Sequence, residues 1–286
     1  MRVYGVDFTS APSHAKPITV AACRLEGDRL TVEQLLALCD LATFERSLAT
    51  PGPWLAAFDF PFGMPRRLGH ALGWPGEWAG YVASVAALGR TSWEELLTMY
   101  KAAQGAGDKE HLRSTDRAAR AKSPMKLYGV PVAKMFFEGA PRLLASGVSV
   151  VPCRPTADPR VAVEAYPALV ARRLLGRGPG RYKADSRREQ TSSQEKARRE
   201  LVAALASPRL GEAYGFDLSL DRHRGRELVA DPTGDRLDAV LAAVQGAWAW
   251  RRRDRGWGTP PGCDAWEGWI VDPATEARRA GLGPRR

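Results

Sequence analysis

The sequence predicts an α/β fold in which helices flank a mixed β-sheet. Three segments rich in β-favouring residues follow one another closely near the start of the chain, as in an antiparallel meander, and later strands alternate with helices. The segment WLAAFDF is apolar almost throughout, which indicates a central strand covered on both faces. The predicted strands are residues 2–9, 17–25, 29–32, 54–60, 148–152 and 160–166.

Helices are predicted from apolar spacing and from capping signals. Residues 33–48 carry apolar residues at helical spacing and contain no Gly or Pro. Two other helices have a Ser and a Glu in capping-box spacing at their starts, Ser92 with Glu95 and Ser192 with Glu195. The remaining predicted helices are 76–89, 114–122, 131–146, 167–175 and 234–252.

Strand character is missing between the fourth and fifth predicted strands. We therefore expect one domain formed by residues 1–61 and 148–286, with residues 62–147 as a large, mostly helical insertion within it. A chain of 286 residues with 44% hydrophobic residues and nine Trp can fill a substantial core. Extensive disorder is therefore excluded.

Several classes of protein are disfavoured by composition. The N-terminus enters a predicted strand without an apolar signal segment, and no apolar run is long enough to cross a membrane. The four Cys are scattered and form no C-x-x-C pair, which argues against a zinc site or a disulfide framework and favours a cytoplasmic protein. The four His are equally isolated, which disfavours a Ser-His-Asp triad.

The net charge of +10 suggests an acidic partner, and DNA or RNA is the expected one. Basic residues concentrate in segments 100–142 and 171–200, although only 8 of the 42 basic residues are Lys, and an Arg-rich solvated face is the simpler alternative. Arg113 is also placed to form a surface salt bridge with Asp116. The candidate phosphate contacts are Lys183, Arg187, Arg188, Arg113 and Lys122.

Carboxylates recur where predicted strands end or helices begin. Oxygen ligands of this kind are what Mg²⁺ and Mn²⁺ prefer, and two such ions can stabilise the attacking and leaving oxygens of phosphoryl transfer. Each carboxylate has a simpler interpretation, as a turn residue, an acceptor of backbone N–H groups or a helix-terminal acid. The candidates are Asp7, Asp59, Glu164, Asp235 and Asp238.

Five short motifs, taken in order, resemble the family called "domain of unknown function 429", which is grouped with predicted nucleases of the ribonuclease H-like fold. These motifs are VYGVDFTSA, AFDFPFGMP, VEAYPALV with RYK downstream, DRLDAVLAAVQGAWA and EGWIVDP. Each is only moderately specific by itself. Their order and spacing are more specific, and they extend over nearly the whole chain.

The resemblance implies a five-stranded mixed sheet with the acidic residues gathered at one edge. It assigns Asp7, Asp59, Glu164 and Asp238 to a catalytic Mg²⁺ or Mn²⁺ site, with Asp235 as an accessory ligand one turn earlier. The D-x-x-D of the last predicted helix also looks like the arrangement in Holliday-junction resolvases. The implied activity is metal-dependent cleavage of nucleic-acid phosphodiesters.

Two other functions are compatible with these residues. Asp7-Phe8-Thr9-Ser10 loosely resembles the first phosphate loop of actin-like kinases, which would make the protein a nucleotide-binding phosphotransferase. However, Phe8 stands where Gly would let the backbone approach phosphate. The third possibility is a non-catalytic ribonuclease H-like scaffold in which the acids serve only as caps.

Overall fold

A seven-stranded mixed sheet forms the centre of the computed structural model, which describes residues 1–176, 182–184 and 187–280. The spatial order of the strands is β5-β6-β4-β1-β2-β3-β7. The expected count of five is therefore wrong, because short strands β5 and β7 extend the two edges. The strands are β1 (Arg2–Asp7), β2 (Ile18–Glu26), β3 (Arg29–Leu38), β4 (Trp54–Phe58), β5 (Ser149–Val151), β6 (Arg160–Glu164) and β7 (Asp217–Ser219).

The three N-terminal strands form the predicted meander, and the sheet is mixed as predicted. Strand β2 pairs antiparallel with both β1 and β3, whereas β4, β6 and β5 run parallel to β1. The predicted helix over residues 33–48 is wrong in its first part, because residues 33–38 continue β3. The nine-residue β2 offers hydrogen-bonding partners to this part of β3, and the register between the two strands shifts between Ala22 and Cys23. The helix begins only after Asp40, whose carboxylate accepts the Thr43 N–H at 2.6 Å.

Helices cover both faces of the sheet. They are α1 (Leu41–Leu48), α2 (Arg66–Ala71), α3 (Trp78–Leu88), α4 (Arg90–Ala102), α5 (Ser114–Ala119), α6 (Val132–Ser146), α7 (Ala168–Leu175), α8 (Ser192–Leu205), α9 (Pro208–Tyr214), α10 (Arg222–Ala230), α11 (Asp235–Trp250) and α12 (Pro273–Ala280). Between β4 and β5 the regular elements of the described chain are helices, α2 through α6, joined by loops. None of the described helices is both long and apolar enough to cross a membrane.

Neither predicted capping box forms as predicted. Helix α4 starts directly after Gly89, whose positive φ of 75° lets the chain turn from α3 into α4, so Ser92 lies inside the helix. The cap of α8 is one residue earlier than predicted. Thr191 accepts the Gln194 N–H at 3.3 Å, and the Gln194 side chain accepts the Thr191 N–H at 2.8 Å.

The core has two layers, one on each face of the sheet. Alternate residues of β4 point to opposite layers, since Leu55 and Ala57 pack towards α11 while Trp54, Ala56 and Phe58 pack towards α3 and α6. This explains why β4 is apolar throughout. The strand is central and buried on both sides, so its carboxyl end is enclosed by neighbouring elements.

Candidate metal centre

Three parallel strands bring carboxylates to one edge of the sheet. Asp7 is the last residue of β1, Asp59 directly follows β4, and Glu164 is the last residue of β6. The backbone N–H of Asp59 donates to the carbonyl oxygen of Val6 at 2.9 Å, which continues the pairing of β4 with β1 by one residue. Since parallel strands end at the same edge, Asp7 and Asp59 become neighbours although 52 positions separate them in sequence.

Helix α11 supplies the fourth carboxylate by crossing the sheet at very short range. A Cβ placed on Gly5 would lie 1.9 Å from the carbonyl oxygen of Ala239, so the absence of a side chain on Gly5 permits the contact. Gly234, with φ of 71°, ends the preceding turn, and its carbonyl accepts the Asp238 N–H at 2.9 Å. The first turn of α11 therefore holds Asp238 above the end of β1.

Asp7, Asp59 and Asp238 form one group of oxygen ligands. One carboxylate oxygen from each residue lies within 4.8 Å of the others; Asp238 is 3% exposed, and the other two are partly buried. Burial raises the pKa of Asp7 well above its ordinary value, and the charges of Asp238, Asp235 and Asp59 raise it further. Burial and Asp238 raise the pKa of Asp59 to about 7. Crowded carboxylates of this kind are stabilised by a bound cation.

Lys183 provides a positive charge at the acidic group, and Tyr182 provides a hydrogen-bond donor. The Lys183 ammonium contacts the Asp238 carboxylate, and the Tyr182 hydroxyl donates to Asp238 Oδ1 at 2.5 Å. Burial lowers the pKa of Lys183, but attraction to Asp238 and Asp7 outweighs that effect and raises it well above its ordinary value. Lys183 is therefore an ammonium ion at neutral pH.

The backbone of residues 182–184 is held in place by hydrogen bonds. The Ala184 N–H donates to the Pro232 carbonyl at 3.0 Å, and the Gln194 side chain donates to the Lys183 carbonyl at 2.8 Å. Arg198 is fully buried, and its guanidinium donates to the Tyr182 carbonyl at 2.9 Å. The loop before α11 and the side chains of α8 thus fix the lysine at the acidic group.

Glu164 forms a separate buried ion network beside the group. Arg113 Nη2 donates to Glu164 Oε1 at 2.6 Å and Nη1 to Oε2 at 2.9 Å, and the Phe62 N–H also donates to Oε2 at 2.9 Å. Arg113 binds Asp116 with its Nε and Nη2 atoms, at 3.0 and 2.8 Å. A metal role for Glu164 stays a prediction, and it would require the bonds to Arg113 to rearrange.

The salt bridge expected on the surface between Arg113 and Asp116 exists, but the surface location is wrong. Arg113 is 2% exposed and Asp116 is 1% exposed. All five guanidinium N–H groups are used, because Nη1 also donates to the Glu267 carbonyl at 2.9 Å. Arg113 would have to give up one of these bonds to bind a phosphate, so the structure gives it a positioning role.

The remaining predicted residues lie around the group. Asp235, one turn before Asp238, is partly exposed and outside the set of three close ligands, and its charge raises the pKa of Asp7 and Asp238. Lys122 is exposed and lines the neighbouring pocket. Arg188 is exposed in the 3₁₀ helix Arg187–Glu189. The side chain of Arg187 lies outside the described part of the structure.

A pocket of about 560 Å³ opens beside the acidic group. Its polar lining residues include Asp59, Asp238 and Lys183, and most of its lining is apolar. The volume is typical of small-ligand sites, and apolar walls with a few convergent charged groups are the usual lining of such sites. The apolar lining residues include Phe60, Pro61, Pro124, Val130, Val132, Met135 and Ile270.

Sequence reasoning missed Tyr182 as a member of the site. It stands next to the candidate Lys183 in the motif RYK, which was the only signal available. Burial and the Asp238 charge raise its pKa well above the ordinary value, so its hydroxyl remains a donor. The role of Glu267 in fixing Arg113 could also not be foreseen, since 154 positions separate the two residues.

This arrangement, a mixed sheet with clustered strand-end carboxylates, defines an α/β protein with a candidate divalent-cation site. The family model described as "Protein of unknown function (DUF429)" matches residues 5–262, and the chain belongs to that family. Comparison with curated proteins and with solved structures gives no significant match.

Proposed function

We propose that this protein is a metal-dependent nuclease of ribonuclease H-like type that hydrolyses nucleic-acid phosphodiesters. The observation that carries the proposal is the group formed by Asp7, Asp59 and Asp238, whose oxygens lie within 4.8 Å of one another. Purely structural acids at helix and strand ends have no reason to converge in this way. Burial and the neighbouring carboxylates raise the pKa values of Asp7 and Asp59 although Lys183 lies at the group, so a bound divalent cation would stabilise the ionised carboxylates.

The ligand set fits Mg²⁺ or Mn²⁺. All three side chains offer oxygen atoms, the ligands of hard divalent cations, and no Cys or His belongs to the group. When bound, such an ion lowers the pKa of a water nucleophile and neutralises charge on the phosphoryl oxygens. Asp7, Asp59 and Asp238 would hold it.

The other side chains have distinct roles in this proposal. Lys183 balances the charge of Asp238 and Asp7, and its ammonium can donate to a substrate phosphate next to the carboxylates. Tyr182 orients Asp238 through its hydroxyl. Glu164, bound on both oxygens by Arg113, fixes the turn after β4 through the Phe62 N–H and so positions the neighbouring Asp59.

The sheet supports the ribonuclease H-like part of the proposal. Five strands in the order β3-β2-β1-β4-β6 form a meander joined to strands parallel to β1, and the acids gather at one edge. The basic balance of the chain, with a net charge of +10, supports a polyanionic substrate, and binding to it is expected to weaken as salt increases.

The first test is Mn²⁺ binding by calorimetry, taken to millimolar metal. Wild type should bind and Asp7→Asn/Asp238→Asn should not. Asp254→Asn should bind like wild type, because that side chain is 84% exposed and follows the end of α11 opposite to the one that holds Asp238. Circular dichroism verifies that each variant is folded. Single-stranded, duplex and junction DNA and RNA then serve as substrates in Mg²⁺ or Mn²⁺.

Two results would count against the proposal. If folded wild type bound no Mn²⁺, the three carboxylates would not constitute a metal site in the free protein. If Asp7→Asn cleaved nucleic acid as fast as wild type, the group would not be catalytic. A thermal shift caused by ATP, without cleavage of any nucleic acid, would instead favour the nucleotide-binding phosphotransferase.

A further inference from the structure

The loop of residues 120–131, between α5 and α6, presents apolar side chains to solvent at the pocket. Val130 lines the pocket and is 63% exposed, and Tyr128 is 75% exposed two residues earlier. With Met99, these are the most exposed large apolar residues in the described part of the chain. Neighbouring exposed apolar side chains beside a pocket are a feature of binding sites.

The exposure of Tyr128 does not reflect a poorly anchored loop. Met125 and Leu127 point into the core and are 0% and 6% exposed. The Ser123 hydroxyl donates to the His111 carbonyl at 2.6 Å, and the Ala133 N–H donates to the Lys126 carbonyl at 3.0 Å, which attaches the loop to α6. The loop is thus held on both sides while Tyr128 faces water.

Positive charge accompanies the exposed ring. Lys122 is exposed and lines the pocket, and the Lys126 ammonium lies beside Gly129, directly after Tyr128 in the chain. Aromatic rings interleaved with basic side chains are the usual means of binding single-stranded nucleic acid, since bases stack on the rings and the cations follow the phosphates. Lys122 and Lys126 therefore supply positive charge beside Tyr128 that complements a polyanion.

Inside the pocket, apolar side chains share the lining with residues of the candidate metal centre. Met135, Phe60 and Ile270 are among the apolar lining residues, and Asp59 and Lys183 are among the charged ones. Tyr166 also lines the pocket, with the Arg172 guanidinium 5.4 Å from its ring centre. A flat apolar group in this pocket would contact the apolar side chains, and a phosphate linked to it would contact Lys183.

We propose that the pocket takes one unpaired nucleotide of a single strand, with the adjoining nucleotide stacked on Tyr128. This inference rests on the proposed nuclease function and specifies its substrate. A base in a duplex is stacked and paired, so it can enter a walled pocket only after it leaves the helix, at an unfavourable free energy. A single strand does not incur that cost, and the protein should discriminate in its favour.

The test measures fluorescence anisotropy of a fluorescein-labelled 12-nucleotide strand, as DNA and as RNA, alone and annealed to its complement. Measurements are made in Ca²⁺ and in EDTA, so that binding is separated from cleavage. Tyr128→Ala should weaken single-strand binding about 10-fold or more, as expected for the loss of one stacked base. Tyr128→Phe, which keeps the ring, should bind like wild type.

The matched control is Met99→Ala, which removes another exposed apolar side chain, 72% exposed, that lines a different pocket. Its affinity should not change. If Tyr128→Ala bound like Met99→Ala, or if the duplex bound as tightly as the single strand, the inference would be overturned. Competition by adenosine monophosphate as effective as that of the strand would also overturn it, in favour of a free nucleotide.

Failure of this inference can be distinguished from failure of the proposed function. Mn²⁺ binding and hydrolysis of bis(4-nitrophenyl) phosphate, a small diester, depend on the acidic group and not on the loop. Both should be unchanged in Tyr128→Ala. If both are intact but Tyr128 does not affect strand binding, only the substrate inference fails. If both are lacking in wild type while Tyr128 still governs strand binding, only the nuclease proposal fails.

Discussion

Replacing Asp59 by Asn should make the metal-free protein more stable at alkaline pH while removing its stabilisation by Mn²⁺. Asn has similar size but carries no charge, so it relieves the repulsion between Asp59 and Asp238 and the burial of an ionised group. A loss of function that comes with a gain in stability is the expected behaviour of a site whose charges require a ligand. An Asp that served only the fold would give the opposite result.

The magnitude follows from the raised pKa of Asp59. Its value is about 7 in the folded chain, compared with an ordinary value of 3.8. At pH 8 this difference corresponds to about 4 kcal/mol of unfavourable free energy in the folded state, and at pH 5 to about 2 kcal/mol. These are upper bounds, because Asp59 is partly exposed and water screens its charge.

The pH dependence has a definite sign. Between pH 3.8 and about 7 the folded chain binds more protons at Asp59 than the unfolded chain. Metal-free wild type should therefore lose stability as the pH rises through this window, and the loss should be complete above pH 7. Asp59→Asn should show less of this loss. The difference in stability between the two proteins should consequently grow from pH 5 to pH 8.

The assay is urea unfolding followed by tryptophan fluorescence, in EDTA and in millimolar Mn²⁺, at both pH values. Mn²⁺ should stabilise wild type by linkage and leave Asp59→Asn unchanged. Asp254→Asn serves as the control for the loss of one surface carboxylate, since its side chain is 84% exposed. The reasoning is refuted if Asp59→Asn is less stable than wild type in EDTA at pH 8.

Two predictions concern the surroundings of the site. Arg113→Met leaves Asp116 and Glu164 buried without a counter-charge and should destabilise the protein by about 3–5 kcal/mol in urea unfolding. Arg24→Ala, at an exposed pair with Glu33, should have a much smaller effect, and similar losses in the two variants would contradict the buried network. Gly5→Ala places a Cβ 1.9 Å from the Ala239 carbonyl oxygen and should lower both thermal stability and Mn²⁺ affinity by displacing α11. Gly105→Ala, with open space around it, should change neither. A Gly5→Ala variant with unchanged stability would contradict the close packing of α11.

The strand-end carboxylates were predictable from local sequence. Pro61 stops the apolar segment before it, and Asp59 stands directly at that stop. The apolar segment before Asp59 predicted a covered central strand in a mixed sheet. The gathering of Asp7 with Asp59 at one edge was implied only by the family resemblance, and the distance between them could not be predicted.

Helix and strand boundaries were less predictable where tertiary pairing competes with local pattern. Residues 33–38 have helical spacing and no strand breaker, yet they continue β3 because β2 offers them a partner. A short strand such as β7 (Asp217–Ser219) carries no periodic signal at all, and it exists only because the edge of β3 is available. Local sequence contains no information on such partners.

By itself, the sequence determined the chemistry that is available: oxygen ligands at strand ends, no thiol or imidazole cluster, and a basic chain. The tertiary structure alone decided how that chemistry is distributed. It joins Asp7, Asp59 and Asp238, pairs Glu164 with Arg113 and brings Lys183 to the acidic group. The physical reason is that burial forces each charge to find a counter-charge, and which partner is within reach depends on how helices and strands pack across large separations in sequence.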